Sequence, residues 1–334
     1  TVGMNIRDLP WYLDEKRPQL PDINVLGLND LDTLVDELIQ KKVAVIFSAL
    51  PDSIASEVEK PLAEGGFCVI SHALIHRLKG EVPLVIPDIN SDHLKILESQ
   101  SFGTGSLISC SNCMVVPIAL TLFPLMSEYD FSTVKIITEQ SLSGGGRKML
   151  ERGRSGLEIA SSIPGESESI ISELNRILGE KNEGIFQEAN LDVKVWCSRA
   201  SHDFGHLATV EIIFSNEISA HEIIEAWQNF SSETFDSRLP SSSQTINFVD
   251  GKLDPIKHRW GDSVTALPDK NLSAGMPVSV GEIEVSGKKL KFKLLSDNTI
   301  RGAAGYGVLL AELLLVEEII PEKNLIKMSF NRRN

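Results

Sequence analysis

Residues 33–70 alternate between a helical pattern and short uninterrupted apolar runs, and this alternation limits the possible folds more than any other feature. Apolar side chains recur at helical spacing over residues 33–42, and residues 43–48 form a continuous run with the length of a buried strand. A second such run covers residues 67–70. Strands that are apolar on both faces and joined by a helix are typical of a parallel sheet. The sequence therefore predicts a doubly wound α/β sheet in the N-terminal part of the chain.

The connection between these two runs carries start and stop signals for a helix. Asp52 and Ser53 are residue types that cap a helix with a side-chain oxygen, and the helix that they begin extends to about Glu64. Gly65 and Gly66 follow, and glycine is common where a helix ends. We expect this helix to cover one face of the sheet.

After about residue 131 the pattern changes to strand-like stretches with looser connections. Strands are predicted at residues 134–138, 193–197, 209–214, 245–249, 278–285 and 290–295. Helices are predicted at residues 169–178 and 220–230, with a last helix at about 303–318. Few helices among many strands indicate a largely antiparallel α+β domain.

Composition excludes several classes of function. The net charge is −14, and a surface of this sign repels phosphate backbones, so we expect no binding to nucleic acid. The longest apolar run, residues 114–126, is shorter than the ~20 residues of a membrane-spanning helix, so no membrane segment is expected. Four cysteines in 334 residues are too few for a disulfide scaffold, and we expect reduced thiols in a cytoplasmic protein.

The segment that says most about chemistry is residues 109–117, in which Cys110 and Cys113 precede an apolar helical run. Pro117 is compatible with the first turn of that helix, where its missing N–H is tolerated. A thiol just before a helix faces free backbone N–H groups and the positive end of the helix dipole, and both lower a thiol pKa. Cys113 is therefore a candidate nucleophile with a lowered pKa.

Other interpretations of Cys113 stay open. Cys110 and Cys113 have the spacing of half a zinc site or of a dithiol redox pair, and Cys113 is also compatible with an ordinary buried cysteine. A zinc site needs two more ligands, but Cys68 and Cys197 lie singly in strand-like segments. We therefore predict no metal.

His206 is the best candidate for a base that serves this nucleophile. It follows Gly205 at the start of a strand, and Arg199 lies seven residues before it. An arginine there could hold a carboxylate through two parallel hydrogen bonds while the histidine moves a proton at the reacting carbon. A structural histidine is the alternative for His206. The histidines predicted to lie at the surface are His202, His221 and His258.

Five segments carry, in order and at similar spacing, the motifs of one enzyme family. They are residues 46–51, 71–77, 82–90, 140–146 and 298–305. The segment that starts at Gln140 resembles a Q-x-x-S-G-A-G loop, and the one that starts at Asn298 is the most specific. Over nearly its whole length the chain resembles the aspartate-β-semialdehyde dehydrogenases, particularly their archaeal and fungal branch.

The resemblance implies an enzyme that interconverts aspartyl-β-phosphate and aspartate semialdehyde with NADP(H), on the route to lysine, threonine and methionine. Cys113 would attack the acyl phosphate to form a thioester, which hydride from NADPH reduces. His206 would be the general acid/base, and Gln140 would help to orient the cysteine. The substrate contacts that the resemblance implies are Arg199 at the carboxylate, Arg77 and Asn112 at the phosphate, and Glu166.

The resemblance also implies the cofactor contacts, the domains and the assembly. The residues along NADP would be Ser48, Ala49, Leu50, Pro51, Ser143, Gly144 and Asn298. An NADP-binding domain would cover residues 1–112 and be completed by residues 297–334, and residues 113–296 would form the catalytic and dimerisation domain. The protein would be a homodimer or homotetramer assembled through the sheet of the second domain.

The sequence departs from the family pattern in three places. It has no glycine-rich dinucleotide loop and Thr1 aligns just after the family's second strand, so we expect an N-terminally incomplete Rossmann-type domain with an exposed sheet edge. The family's N-P-N-C-S/T motif reads Cys-Ser-Asn-Cys-Met at residues 110–114, which leaves a disulfide between Cys110 and Cys113 as an alternative. The phosphate-side segment, residues 165–169, lacks the family's lysine.

Two alternative functions stay open on these grounds. A malonyl-CoA-type acyl reductase shares the scaffold and a small acidic substrate, and inorganic phosphate separates the two activities because a CoA enzyme does not respond to it. A non-catalytic homologue that acts as a partner or regulatory subunit fits the missing glycine loop and the altered neighbours of Cys113.

Overall fold

The computed structural model describes residues 1–12, 14, 16–182, 185–262, 268 and 271–320. The helices are α1 (Leu31–Gln40), α2 (Asp52–Glu64), α3 (Leu74–Arg77), α4 (Pro87–Asn90), α5 (Val115–Glu128), α6 (Arg147–Arg154), α7 (Glu166–Ile177), α8 (Ala220–Thr234) and α9 (Gly305–Val316). The strands are β1 (Val45–Ser48), β2 (Cys68–Ser71), β3 (Ser106–Ser109), β4 (Phe131–Gln140), β5 (Glu180–Asn182), β6 (Ile185–Gln187), β7 (Asp192–Arg199), β8 (His206–Phe214), β9 (Ile246–Phe248), β10 (Arg259–Asp262), β11 (Val278–Ser286) and β12 (Lys289–Ser296).

Strands β1, β2 and β3 form a parallel three-stranded sheet in that order. Every side chain of β2 and β3 is buried. The apolar run at residues 67–70 predicts β2, whereas β3 has no counterpart among the predicted strands. Val69 and Leu107 pack on one face against apolar side chains of α1 and α2. Ile70 and Ile108 join the larger core on the other face, together with side chains of α5 and α9. The predicted Rossmann-type sheet with two covered faces is confirmed.

β1 is an edge strand of this sheet as the structure describes it, and the side chain of Phe47 at that edge is 52% exposed. The expectation of an exposed edge is therefore met. Whether the domain is N-terminally incomplete stays a prediction.

Helix α2 has the bounds that the sequence predicts, but its first turn is capped differently. Pro51 is the N-cap residue, in an extended conformation, and no side chain caps the helix. The Asp52 carboxylate instead accepts a hydrogen bond from the backbone N–H of Ile75, at 3.2 Å. The prediction that Asp52 or Ser53 is the cap is thus wrong, because Asp52 lies inside the first turn and connects α2 to α3.

A six-stranded sheet in the order β7-β4-β8-β12-β11-β9 occupies the second half of the chain. Its central pairs, β4 with β8, β8 with β12 and β12 with β11, are antiparallel, and the two outer pairs are parallel. Helices α5, α7 and α8 supply side chains to the core that covers one face. The predicted α+β character is confirmed, with parallel strands added at both edges.

The strands β4, β7 and β8 are longer than the apolar pattern predicts, and each of them has a polar residue at the end that lies toward the cavity side of the sheet. Gln140 is the last residue of β4 and pairs in parallel register with Arg199, the last residue of β7. His206 is the first residue of β8, which runs antiparallel to β4. Because antiparallel neighbours begin where their partners end, all three side chains lie at the same end of the sheet.

The last helix begins with a π-helical turn, Ile300–Ala304, that leads into α9. Leu309, Leu313 and Leu314 of α9 are buried as predicted, whereas Val308 is half-buried. Residues 321–334, which the domain prediction included, lie outside the described part of the chain. No helix among the described residues is long and apolar enough to cross a membrane.

Candidate active site

A cavity of about 700 Å³ opens where the carboxyl ends of β1 and β2 and the loop after β3 meet the ends of β4 and β7. Ligands of doubly wound sheets bind at such a carboxyl edge. The residues that line the cavity are Phe47, Ser48, Ala49, His72, Arg77, Ser111, Asn112, Cys113, Gln140, Gly144, Ile163, Glu166, Arg199, Gly302, Ala303, Ala304 and Val308.

Cys113 lies in the connection between β3 and α5, two residues before the helix begins. Its Sγ atom is 3.2 Å from Nε2 of His206, which belongs to the other sheet. Pro117 is in the first turn of α5, as predicted. The backbone of Gly302, in the π-helical turn, passes so close that a Cβ atom there would lie 2.7 Å from the Cβ atom of Cys113. The thiol is thus held between three parts of the chain.

The predicted lowering of the Cys113 pKa is wrong for this structure. Burial, and after it the Glu166 carboxylate, raise the pKa of the Cys113 thiol to about 12, although the positive charges of Arg77 and Arg199 act in the opposite direction. The loss of hydration destabilises the thiolate here by more than the start of the helix stabilises it. The thiol of the free protein is therefore protonated at neutral pH.

His206 is fully buried, and its ring is fixed by the loop after β4. The backbone N–H of Ser141 donates to Nδ1 at 3.1 Å. Burial, Arg199 and His202 lower the pKa of His206 to about 3. The ring is therefore neutral, and since Nδ1 accepts, its proton is on Nε2 and faces the sulfur of Cys113.

Glu166, the first residue of α7, connects two of the predicted site residues. Its Oε1 accepts hydrogen bonds from Nε2 of Gln140 (2.8 Å) and from Nδ2 of Asn112 (3.0 Å). Gln140 thus binds Glu166, which in turn binds the residue before Cys113. Its predicted role in orienting the cysteine would act through these two contacts.

Two arginines line the cavity, each tied to the protein by one part of its guanidinium group. Nη1 of Arg77 forms an ion pair with Glu173 at 3.0 Å, and its Nη2 donates to the carbonyl oxygen of His72 at 3.0 Å. Nη1 of Arg199 donates to the carbonyl oxygen of Ser141 at 2.9 Å. Both predicted anion-binding residues therefore reach the site.

The residues predicted along the cofactor fall into two groups. Ser48, Ala49 and Gly144 line the cavity, and Leu50 and Pro51 are not among the described residues of its wall. Asn298 is buried, and its Oδ1 accepts from Ser141 Oγ (3.0 Å), Ser143 Oγ (3.3 Å) and the backbone N–H of Gly205 (3.0 Å). Ser143 and Asn298 hold the loops on either side of His206, so their cofactor contact stays a prediction.

The four cysteines are all free thiols, so the alternative of a disulfide between Cys110 and Cys113 does not occur in this structure. Cys110 is fully buried, and burial raises its pKa to about 12. Among the described residues no three His, Cys, Asp or Glu side chains are grouped as metal ligands.

Two of the three histidines predicted at the surface are half-buried instead. Nε2 of His202 donates to the carbonyl oxygen of Gly205 at 2.6 Å, and Nδ1 of His258 accepts from the backbone N–H of Asp254 at 2.9 Å. Both histidines hold loops in place, and the local sequence does not reveal these contacts. His221 is exposed as predicted.

The sequence analysis missed several residues of the site, and four of them matter most to its geometry. They are His72 and Gly302 in the cavity wall, Ser141 beside His206, and Glu173 beside Arg77. Gly302 and Ser141 stand inside segments already singled out as motifs, so their positions carried a signal. Glu173 had none, because an acidic residue in an amphipathic helix predicts a solvated face.

Comparison with known proteins first gives the class that the fold and site define. Residues 16–97 match the family model described as "Semialdehyde dehydrogenase, NAD binding domain". A solved structure of aspartate semialdehyde dehydrogenase with NADP from Candida albicans superposes with a TM-score of 0.75 at 27% identity, covering 96% of this chain and 89% of that one.

The particular family follows from the sequence relatives. An aspartate-semialdehyde dehydrogenase from Archaeoglobus fulgidus is 34% identical over 318 residues, 94% of this chain and 87% of that protein. A malonyl CoA reductase (NADP) from Metallosphaera sedula is 29% identical over 303 residues, 86% of this chain and 81% of that protein. The chain belongs to the aspartate-semialdehyde dehydrogenase family.

Proposed function

We propose that the protein is an NADP-dependent aspartate-semialdehyde dehydrogenase, which interconverts aspartyl-β-phosphate and aspartate β-semialdehyde in the synthesis of lysine, threonine and methionine. The observation that carries this proposal is the 3.2 Å contact between Sγ of Cys113 and Nε2 of His206. It lies in a cavity that Arg77 and Arg199 also line, which suits a substrate with an anionic group at each end.

In the reductive direction the sulfur of Cys113 attacks the acyl carbon of the substrate. A C–S bond forms and the C–O bond to phosphate breaks, so phosphate leaves with the bonding electrons and takes up a proton. NADP(H), when bound, supplies the hydride in this direction or accepts it in the other. The C–S bond then breaks as the thioester carbon becomes the aldehyde carbon, and Cys113 returns to its starting form.

His206 serves this sequence as a neutral hydrogen-bond donor. Its Nε2–H faces the sulfur, so it stabilises charge on the thiolate and then on the carbonyl oxygen. This bond acts against the burial that raises the pKa of the thiol. In its general acid/base role, Nε2 of His206 would also give its proton to the reacting oxygen of the substrate and take it back in the reverse direction.

The substrate would lie between the two arginines, with its α-carboxylate on Arg199 and its phosphate on Arg77 and Asn112. Each guanidinium group keeps further N–H donors for the substrate, since the described contacts of Arg77 and Arg199 use only part of their donors. Glu166 is placed to accept a hydrogen bond from the substrate's α-ammonium group, because it lines the same cavity with a negative charge.

The cavity also fits a nicotinamide cofactor. Its volume of about 700 Å³ is within the range of cofactor sites, and the residues that line it include the small Ser48, Ala49, Ala303 and Ala304. At Gly307 an added Cβ would lie 3.2 Å from the ring of His72, so α9 closely approaches the residue that follows β2. Small residues in the same cavity as Cys113 leave space for a flat ring, and the solved Candida albicans structure contains NADP.

One observation favours a second candidate, a malonyl-CoA-type reductase. Ser169 occupies the phosphate-side segment that has lysine in the family, and its hydroxyl donates to Glu173 at 2.6 Å. Arg77 is then the only cationic group on that side among the described cavity residues. A thioester substrate has no phosphate group attached to its reacting carbon, so it needs fewer cationic groups on that side than an acyl phosphate does.

The test is phosphate-dependent formation of NADPH from aspartate β-semialdehyde by the purified protein. We expect turnover that requires inorganic phosphate and falls by on the order of 10⁴-fold or more in Cys113→Ala. Turnover of malonyl-CoA without a response to phosphate supports the second candidate. No activity above the Cys113→Ala control on either substrate refutes both and indicates a non-catalytic homologue.

The same family membership supports a cytoplasmic homodimer or homotetramer, with residues 113–296 as the domain that assembles. The face of the six-stranded sheet opposite the core, which no described element covers and which we call the open face, supports this assignment. It presents Lys135, Ile137, Trp196, Thr209, Glu211 and Lys291, and the side chains of Ile137 and Trp196 are 52% and 54% exposed. Apolar side chains in such a position are typical of an interface.

A further inference from the structure

We propose that Glu173 is a positioning residue that holds Arg77 and the nucleophile loop, residues 111–113, in one fixed arrangement. Glu173 lies in the middle of α7 and is fully buried. It does not line the cavity, so it acts through the residues that it binds. The assignment of phosphate to Arg77 rests on the proposed function.

The two oxygens of Glu173 serve two different parts of the site. Oε1 accepts from Nη1 of Arg77 (3.0 Å) and from the hydroxyl of Ser169 (2.6 Å). Oε2 accepts from the backbone N–H of Asn112 (2.7 Å) and from the hydroxyl of Ser111 (2.9 Å). One carboxylate thus joins the arginine on α3 to the residue that precedes the nucleophile.

A buried carboxylate with four donors is a rigid connection. Removing a charge from water is unfavourable unless hydrogen bonds and an opposite charge compensate it, and here the compensation is complete on both oxygens. A change in the position of Arg77 would therefore leave one oxygen of Glu173 without its ion pair. The distance between the phosphate-side guanidinium group and the nucleophile is fixed in this way.

Arg77 is held at a second point, where its Nη2 donates to the carbonyl oxygen of His72. The charged groups around this connection are Arg77 itself and, across the cavity, Glu166 and Arg199. Glu173 also contributes to the raised pKa of Cys113, although burial and Glu166 have larger effects on this pKa. The carboxylate therefore reaches the thiol electrostatically as well as through the loop.

Glu173→Gln tests the proposal with little change of shape. An amide has a single acceptor oxygen, so its NH₂ group would face either Arg77 or the N–H of Asn112, donor against donor. Glu312→Gln is the matched control, because Glu312 on α9 accepts two hydrogen bonds from Ser241 and does not line the cavity. Circular dichroism and thermal unfolding establish that each variant is folded.

The first measurement is protection of Cys113 against iodoacetamide by inorganic phosphate, with Cys113→Ala as background. We expect the phosphate concentration for half-protection to rise about tenfold or more in Glu173→Gln and to stay unchanged in Glu312→Gln. We also expect the pH profile of alkylation to shift to lower pH in Glu173→Gln, since a negative charge near the thiol is removed. A residue with only a structural role would produce neither change.

The second measurement is a double-mutant cycle with Arg77→Gln. If Glu173 acts by holding Arg77, the double variant requires no more phosphate than Arg77→Gln alone. Should Glu173→Gln not fold, Glu173→Asp replaces it, because the shorter side chain keeps the charge but reaches only one of the two partners. It is expected to weaken protection in the same direction.

Several results would overturn the proposal: half-protection within about twofold of the unmodified protein, additive effects in the cycle, or no protection of the unmodified protein by phosphate. The alkylation assay contains neither aspartate semialdehyde nor NADP. Loss of protection in Glu173→Gln without any turnover would therefore refute the proposed function alone, whereas normal turnover with unchanged protection would refute only the role of Glu173.

Discussion

The two sheets of this protein differ in how many of their faces are buried. The three-stranded parallel sheet is covered on both faces, and every side chain of β2 and β3 is buried. In the six-stranded sheet burial alternates along the strands, as in β8, and the open face meets solvent. Parallel strands joined by helices require cover on both sides, whereas antiparallel strands do not. The parallel sheet can therefore tolerate few substitutions, whereas the six-stranded sheet has one face on which substitutions do not disturb the core.

The active site depends on both sheets, since it lies where their ends meet. The parallel sheet leads into Cys113, and the mixed sheet supplies Gln140, Arg199 and His206 from its strand ends. Breaking the contact between the sheets should therefore cost activity, and breaking either sheet alone should cost stability or assembly.

The largest effect is expected where the two sheets touch chemically, at the contact of His206 with Cys113. His206→Gln keeps the shape of the side chain but removes the ring that faces the sulfur, and we expect kcat to fall by about 10²- to 10⁴-fold. Steady-state kinetics with aspartate semialdehyde measure this, with exposed His221→Gln as the control. A loss of less than about tenfold would show that the contact is not catalytic.

The same variant changes how stability depends on pH. The pKa of His206 is lowered to about 3 in the folded protein, so between there and its ordinary value of about 6.5 the unfolded chain binds a proton that the folded protein does not. The free energy of unfolding therefore falls as the pH decreases through this range, by at most about 1.4 kcal/mol per pH unit for one group. Urea unfolding between pH 6.5 and 4 should show a shallower decline in His206→Gln; equal slopes would contradict the buried neutral ring.

A smaller effect is expected inside the parallel sheet. A Cβ atom on Gly105 would lie 1.9 Å from the carbonyl oxygen of Ala63 in α2, so Gly105→Ala must push the helix from the sheet. We expect a loss of about 1–3 kcal/mol in the free energy of unfolding. Gly80→Ala is the control, since nothing lies within 4 Å of its added Cβ. Similar stability of the two variants would mean that this sheet is less tightly packed than described.

The smallest effect on folding and the clearest effect on assembly are expected at the open face. Trp196→Lys adds a charge at a side chain that is 54% exposed, so the unfolding free energy of the monomer should change by less than about 0.5 kcal/mol. Sedimentation should show the unmodified protein as a dimer or tetramer and Trp196→Lys as a monomer. Phe235→Lys, at another exposed aromatic residue, should leave the oligomer intact. An oligomer that survives Trp196→Lys would place the interface elsewhere.

Much of the fold could be predicted from local patterns. The end of α2 follows from the glycines after it, and the strands of both sheets except β3 follow from their apolar runs. β3 was missed because only two of its four residues are apolar. The ends of β4, β7 and β8 were missed because Gln140, Arg199 and His206 are polar, and a polar strand end looks like a loop. The predicted strands are based on apolar residues, so they leave out the polar residues at the strand ends that form the candidate site.

The candidate site was predictable only as separate parts. The motifs around Cys113, Gln140, Arg199 and His206 could be found one by one, and the structure brings all four to the same cavity or its edge. The pKa of Cys113 was predicted in the wrong direction, because the helix start is local in sequence while burial and Glu166 are not. Glu173 could not be found, since its four donors come from three different segments.

The sequence by itself determined the alternation of buried strands and helices, the thiol before an apolar helix, and the family to which the chain belongs. These are properties of neighbouring residues, and spacing along the chain records them. Only the tertiary structure decided that Cys113 faces His206 across 93 residues, that the imidazole is neutral, and that one buried carboxylate joins Arg77 to the nucleophile loop. Distance, burial and charge between distant segments arise when the two sheets pack together, so no local pattern contains them.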